Sequence, residues 1–204
     1  MNAPSRRMIV AAAVLAPAAC TSLLPAGGAP PKLYTLTAPT DFTRAGKPRV
    51  TWQLLVDAPA AAAALDTERI ALSRSPTSID YFADAAWTDR APLMVQALLV
   101  QAFENSGGIT AVGRQSLALR ADYLLRSELR HFEADYAGEG PPAAHVQIAA
   151  GLVKMPERAI IAQRVIEATA RAAKNDMPAI VDAFNDAFHQ AARQIVDWAL
   201  AAGR

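Results

Sequence analysis

The sequence predicts an α+β fold, a two-layer sandwich in which two main helices pack on one face of a mostly antiparallel sheet. Segments with the period-2 alternation of half-buried strands stand on both sides of a helical segment. Three of them, at 121–136, 145–154 and 159–170, are long and follow one another through short turns. A second helical segment at 177–201 carries a broad apolar stripe. Runs of strands interrupted by single helices are typical of α+β folds.

The strand predictions in the first half of the chain rest on alternation and turn residues. Residues 33–37 alternate briefly and are predicted to form an edge strand, whereas 50–57 alternate over a full strand length. Two short strands are predicted at 68–73 and 78–82, with a turn at 74–77 that contains a proline.

The first helix is predicted over 89–105. Thr88 or Asp89 can cap it, Pro92 suits its first turn, and Gly107-Gly108 ends it. Its polar positions project onto one arc, which leaves a wide apolar surface for the sheet. These polar positions are Arg90, Gln96, Gln101 and Glu104.

The second half predicts an antiparallel meander and a capped helix. The alternation in 121–136 changes phase near Arg130-His131, which indicates a β-bulge there. The three long strands are expected to pair in sequence order. Asp176 closes the polar run 174–176 and is expected to cap the last helix, with Pro178 in the first turn.

The amino-terminal segment 1–19 has the features of a secretory signal peptide. Arg6 and Arg7 precede a short apolar run that ends in small residues, and the run is shorter than the ~20 residues that span a bilayer. The single cysteine of the chain, Cys20, follows directly. This arrangement resembles the lipobox of bacterial lipoproteins, in which the cysteine receives a diacylglycerol and usually a further acyl chain such as palmitate. Pro17 departs from the usual aliphatic residue, so an ordinary signal peptide is the alternative.

The remaining chain divides into a tether and one domain. Residues 20–32 are rich in Pro and Gly and are predicted to separate the lipidated cysteine from a single α+β domain at 33–204. The formal charge of +1 falls to −1 when Arg6 and Arg7 are removed, so there is no basic footprint for nucleic acid. With one cysteine, the domain forms no internal disulfide.

The residues give no catalytic, cofactor or metal signature. His131, His145 and His189 lack the spacing of known ligand motifs, so the sequence predicts no metal site. Glu133 and Asp135 share one strand face and could be paired acids, but a solvated strand face is the favoured interpretation. No enzyme activity is predicted, and Cys20 is the only site residue, as the point of lipidation.

Several stretches in order resemble the auxiliary lipoproteins of ABC-type transporters in MCE lipid-transport systems (PqiC-like proteins). Each stretch is short, but together they cover nearly the whole predicted mature chain. They are Cys20 with its tether, Leu33-Tyr34-Thr35-Leu36, Trp52-Gln53-Leu54-Leu55-Val56, Leu65 to Leu72, Ile79-Asp80-Tyr81-Phe82, Trp87 to Pro92, Ala121 to Leu125, and Asn175 to Pro178.

The resemblance implies a lipoprotein anchored in the outer membrane and facing the periplasm. Thr21 agrees, because Asp at that position is the familiar inner-membrane retention signal. The implied role is a docking component for an MCE-domain protein that conducts phospholipid, and the implied partners include further copies of the chain. The edge segment 33–37 is a candidate docking element. Alternatives are a structural lipoprotein of another envelope assembly, a periplasmic lipid carrier and a periplasmic enzyme.

Overall fold

The computed structural model describes residues 30–43, 49–114 and 120–203. The predicted signal peptide, Cys20 and most of the tether therefore lie outside the described residues. From Pro31 onward the chain forms one compact unit. Its strands are β1 (Lys32–Tyr34), β2 (Val50–Val56), β3 (Ala60–Ala61), β4 (Arg69–Ser75), β5 (Ser78–Trp87), β6 (Ile109–Arg114), β7 (Tyr123–Asp135), β8 (Ala143–Lys154) and β9 (Ala159–Arg171), and its helices are α1 (Ala91–Asn105) and α2 (Met177–Ala202).

The long strand β7 organises the sheet. One of its edges pairs with β8 along the whole strand, and β8 pairs in turn with β9. Its other edge pairs successively with β2, β3 and β4. The sheet therefore branches at β7: β2 continues to β6, and β4 continues through β5 to β1.

Strand direction is mixed, with the long ladders antiparallel. The meander β7–β8–β9 is antiparallel, as predicted, and so is the β4–β5 hairpin. The shorter pairings of β2, β3 and β4 with β7, of β2 with β6 and of β1 with β5 are parallel. Alternation reports which face of a strand is buried but carries no information about partner direction, so the sequence could not indicate these parallel pairings.

The predicted bulge is present in β7. Leu129 pairs with Ile148, and the next pair is His131 with Gln147, which leaves Arg130 as the extra residue. In a regular strand, residues three positions apart lie on opposite faces. The extra residue shifts the alternation by one position, so Leu129 and Phe132 both face the core.

The sheet and the helices share one hydrophobic core. Trp87, Phe132 and Phe184 are fully buried and pack together with ring centroids 5.2–5.7 Å apart. Both helices contribute to the same hydrophobic core as the meander. The α+β class is confirmed, while the placement of both helices on one face of the sheet remains a prediction.

The ends of several elements differ from the sequence prediction. The strand predicted at 78–82 extends to Trp87 as β5. The N-cap of α1 is Arg90, and neither Thr88 nor Asp89 caps it through a side chain. Gln96, predicted on the solvent arc, is buried, and its amide donates a hydrogen bond to the Val56 carbonyl at 2.9 Å. This bond satisfies both polar groups inside the core, which explains why a glutamine is tolerated there.

Candidate functional site

The meander turns one face toward the core and the opposite face, here called the outer face, away from it. Alternation in β8 makes this division clear, since Val146, Ile148, Ala150 and Leu152 are buried while the residues between them are partly exposed. The outer face carries two adjoining features, an apolar groove and a cluster of histidine and glutamate side chains.

The outer groove has a volume of about 770 Å³ and is open to solvent. It lies over β7, β8 and β9 and reaches the turn between β8 and β9. Two of its side chains are large, apolar and exposed, Ile160 at 59% and Val165 at 53%. Other apolar lining residues are Leu124, Ala149, Val153 and Met155. Contiguous apolar surface that is exposed to solvent often marks an interaction site.

The charge of the outer groove is positive. Four arginines line it, Arg126, Arg130, Arg158 and Arg164, against the two carboxylates Asp57 and Glu128. Arg130 and Glu128 form an ion pair with each other, since Arg130 Nε lies 2.9 Å from Glu128 Oε2. Planar guanidinium groups bind carboxylate and phosphate groups. With apolar side chains beside them, they suit an amphipathic molecule or surface that carries such an anionic group.

The groove lacks the parts of a nucleophilic active site. Ser127 is a lining residue, but the lining contains no histidine or cysteine among the described residues. A serine becomes a nucleophile when a base lies within hydrogen-bond reach, and the lining offers arginines and carboxylates in place of an oriented imidazole. The exposed apolar side chains and the arginines of the lining are suited to binding.

The histidine–glutamate cluster comprises His131, Glu133 and His145, whose polar atoms all lie within 4.8 Å of one another. Glu133 Oε1 lies 2.7 Å from His131 Nδ1 and 3.4 Å from His145 Nδ1. The two imidazole rings stack, with centroids 4.3 Å apart. Glu133 is buried, and its Oε2 accepts a hydrogen bond from the Phe132 amide at 2.6 Å.

A second carboxylate fixes the orientation of His145. Its Nε2 lies 2.8 Å from Glu167 Oε1, and Gln147 donates to Glu167 Oε2 at 3.0 Å. The hydrogen bonds from His145 and then Gln147 hold the pKa of Glu167 below its ordinary value. Glu167 is therefore an acceptor at neutral pH, and the Nε2 proton of His145 points toward it.

Sequence spacing alone did not reveal this cluster. His131 and His145 are brought together by the register of β7 on β8, which places Glu133 directly opposite His145. The bulge at Arg130 then turns His131 to the same face. The interpretation of Glu133 as part of a solvated face is wrong, because Glu133 is 6% exposed. The third histidine, His189, lies on α2 and bonds to Thr37.

Cys20 and the edge segment 33–37 were the sequence-based candidates for anchoring and docking. Cys20 lies outside the described residues. The edge prediction is confirmed for residues 33–34, which belong to β1, whereas 35–37 are not part of a strand. Among the described residues, β1 pairs only with β5 and ends one branch of the sheet. Leu33 on this edge is 60% exposed, whereas Leu36 beyond it is buried.

The chain is similar to known proteins in sequence and in fold. The uncharacterized protein bll6063 of Bradyrhizobium diazoefficiens is 31% identical over 178 residues, which are 86% of this chain and 47% of that protein. The chain thus spans about half the length of this relative. The crystal structure of protein XCC0632 from Xanthomonas campestris is 34% identical, with a TM-score of 0.79 over 84% of this chain and 96% of that one. Another crystal structure, of an uncharacterized protein, shares the fold at 15% identity, with a TM-score of 0.65 over 83% of this chain and 98% of that one.

The family whose model matches this chain consists of transport accessories, which is not a class of enzymes. Within the part of the chain that the structure describes, neither helix combines the length and apolar character needed to cross a membrane. The model of the family described as ABC-type transport auxiliary lipoprotein component matches residues 34–196. The chain therefore belongs to the ABC-type transport auxiliary lipoprotein family.

Proposed function

We propose that this chain is a docking component of an MCE-type ABC system that transports phospholipid. It is anchored through acyl chains on Cys20 in the outer membrane and faces the periplasm. Family membership supports the auxiliary transport role. The resemblance of the amino-terminal segment to a lipobox supports the anchor. Two or three acyl chains hold a protein firmly, since each buried CH₂ contributes ~0.8 kcal/mol.

The observation that carries the docking role is the outer groove. Ile160 and Val165 are more than half exposed on a sheet face that lies opposite the core. A partner that covered them would remove apolar area from water at about 25 cal/mol per Å². The excess of arginine over carboxylate in the lining adds attraction for an acidic surface. We assign the MCE-domain protein as the occupant of this groove.

A second candidate, a periplasmic lipid carrier, is favoured by the same combination of arginine and apolar side chains. A carrier must shield acyl chains from water on all sides, which requires an enclosed cavity. The outer groove is open to solvent. A docking surface agrees better with this shape, and the carrier becomes one outcome of the test.

The test is a pull-down from detergent-solubilised envelopes of the native host, with mass spectrometry of the amino terminus and of the captured proteins and lipids. We expect the wild-type chain to carry acyl groups on Cys20 and to capture an MCE-domain protein. Val165→Asp places a carboxylate in the groove and should reduce capture at least tenfold. The Cys20→Ala chain should no longer be found in the membrane fraction.

Ile79→Asp is the matched control, because Ile79 is also an exposed apolar strand residue, at 44%, and lies outside the groove. It should capture the partner as the wild type does. Equal capture by Val165→Asp and wild type would remove the groove from the proposal. Capture of phospholipid without an MCE-domain protein would favour the carrier, and an unmodified Cys20 would exclude the lipid anchor.

A further inference from the structure

The histidine–glutamate cluster on the outer face has the geometry of a set of metal ligands. Two imidazole nitrogens and one carboxylate oxygen converge within 4.8 Å. They come from neighbouring strands of a rigid sheet, so the backbone positions that hold them are fixed by ladder hydrogen bonds. Sites built on strands position ligands more accurately than sites built on loops.

The hydrogen bonds around His145 leave its Nδ1 available. The Nε2 proton is directed to Glu167, 2.8 Å away. In a neutral imidazole the other nitrogen then carries a lone pair. That nitrogen lies 3.4 Å from Glu133 Oε1, a separation that a metal ion bound to both atoms would span. A histidine whose second nitrogen donates to a carboxylate is the usual arrangement of a metal-bound histidine.

The other two groups point to the same centre. Glu133 Oε1 is shared between both histidines, and its Oε2 is held by the Phe132 amide. Glu133 therefore offers one oxygen in a fixed direction. His131 lies 2.7 Å from that oxygen, which is a hydrogen-bond distance.

We propose that His131 Nδ1, His145 Nδ1 and Glu133 Oε1 form a binding site for a divalent transition metal such as Zn²⁺, with Glu167 orienting His145. Metal–ligand distances of about 2.0–2.2 Å separate tetrahedral ligand atoms by roughly 3.4 Å. The spacing between His145 and Glu133 already meets this value. His131, whose side chain is 45% exposed, moves by a fraction of an ångström as the metal replaces its hydrogen bond.

The donor set selects the class of metal. Two imidazoles and one carboxylate suit Zn²⁺ and its neighbours, whereas Mg²⁺ and Ca²⁺ prefer oxygen ligands throughout. Three protein ligands leave a fourth position for water or for a group from another molecule. The exposure of His131 keeps that position open to solvent.

The experiment uses the full chain without a histidine tag, purified in detergent, stripped with a chelator and titrated with Zn²⁺ by calorimetry at pH 7.5. We expect one Zn²⁺ per chain, with binding that excess Mg²⁺ does not prevent. His131→Ala and His145→Ala should each weaken binding more than tenfold. Glu167→Gln should weaken it about 10- to 100-fold, the usual effect of losing a group that orients a ligand.

His189→Ala is the matched control, since His189 is the remaining histidine and lies away from the cluster on α2. Its affinity should equal that of the wild type. Zn²⁺ should also raise the unfolding temperature of the wild type and of His189→Ala, but not of His131→Ala. Affinity should fall as the pH is lowered, because protons compete for the ring nitrogens.

Absence of a Zn²⁺ equivalent would overturn the proposal. Equal binding by wild type and His131→Ala would do the same, since it would identify surface binding elsewhere. His131 is half exposed, so its replacement should leave the fold intact, which circular dichroism can establish. If His145→Ala proves unfolded, His131→Ala and Glu167→Gln decide the question.

Discussion

Gly203, the residue that caps the end of α2, packs directly against the indole of Trp52. A Cβ atom built on Gly203 would lie 2.6 Å from Trp52 Cζ2 and 2.8 Å from Cε2. The indole is itself held by an edge-on contact with Tyr123, with ring centroids 5.0 Å apart. A glycine is needed here for space, because its φ of −78° is accessible to any residue.

Replacing Gly203 with alanine should destabilise the protein by about 1–3 kcal/mol, the usual cost of overpacking a core. The free energy of unfolding from urea titration measures this effect. Gly151→Ala is the control, since the nearest atom to its added Cβ would be an ordinary 3.8 Å away. Equal stability of Gly203→Ala and wild type would show that the indole can move aside.

The candidate site shows how far single residues can be interpreted from sequence. His131, His145 and Glu133 were each identifiable as polar residues within predicted strands. Their convergence depends on the pairing of β7 with β8, in which His131 faces Gln147 and Glu133 faces His145. Register between strands is a non-local property, so neither the cluster nor the burial of Glu133 could be predicted from spacing.

Among the elements, α2 has the clearest local signals. Asp176 accepts a hydrogen bond from the Ala179 amide at 3.0 Å, and Pro178 lies in the first turn. Asp176→Ala should lower the free energy of unfolding by about 1 kcal/mol, because it leaves an amide of the first turn without this acceptor. Thermal and urea unfolding followed by circular dichroism measure the change.

Asp176→Asn is the matched variant for this prediction, because asparagine caps helices about as well as aspartate. It should recover most of the stability lost in Asp176→Ala. If both variants lost the same stability, the carboxylate charge would matter and the cap geometry would not.

Elements with local signals were predicted well, and those that depend on distant partners were not. The meander, the bulge, the glycine stop after α1 and the Asp176 cap all follow from residues within a few positions of one another. The short strand β3 pairs only with β7 and has no alternation of its own. The parallel pairing of β2 and β4 with β7 likewise arises from the global topology.

At the scale of the whole molecule, hydrogen bonds and an ion pair hold the segment that follows β1 against α2. Thr37 donates its amide to Asn185 Oδ1 at 2.9 Å, and His189 Nε2 lies 2.9 Å from the Thr37 carbonyl oxygen. One turn further, Arg193 forms an ion pair with Asp41 at 2.7 Å. Residues spaced by four share one face of a helix, so α2 presents a continuous polar stripe to this segment.

These contacts hold residues 37–41 against α2. Asn185→Ala removes the acceptor of the Thr37 amide, a bond worth about 1 kcal/mol, so that amide should exchange with deuterium roughly fivefold faster. Hydrogen exchange by mass spectrometry over residues 34–43 measures it. Asp186→Ala, on the adjacent exposed position, should leave exchange there unchanged. Faster exchange throughout the domain would instead mean that Asn185 supports the core of α2.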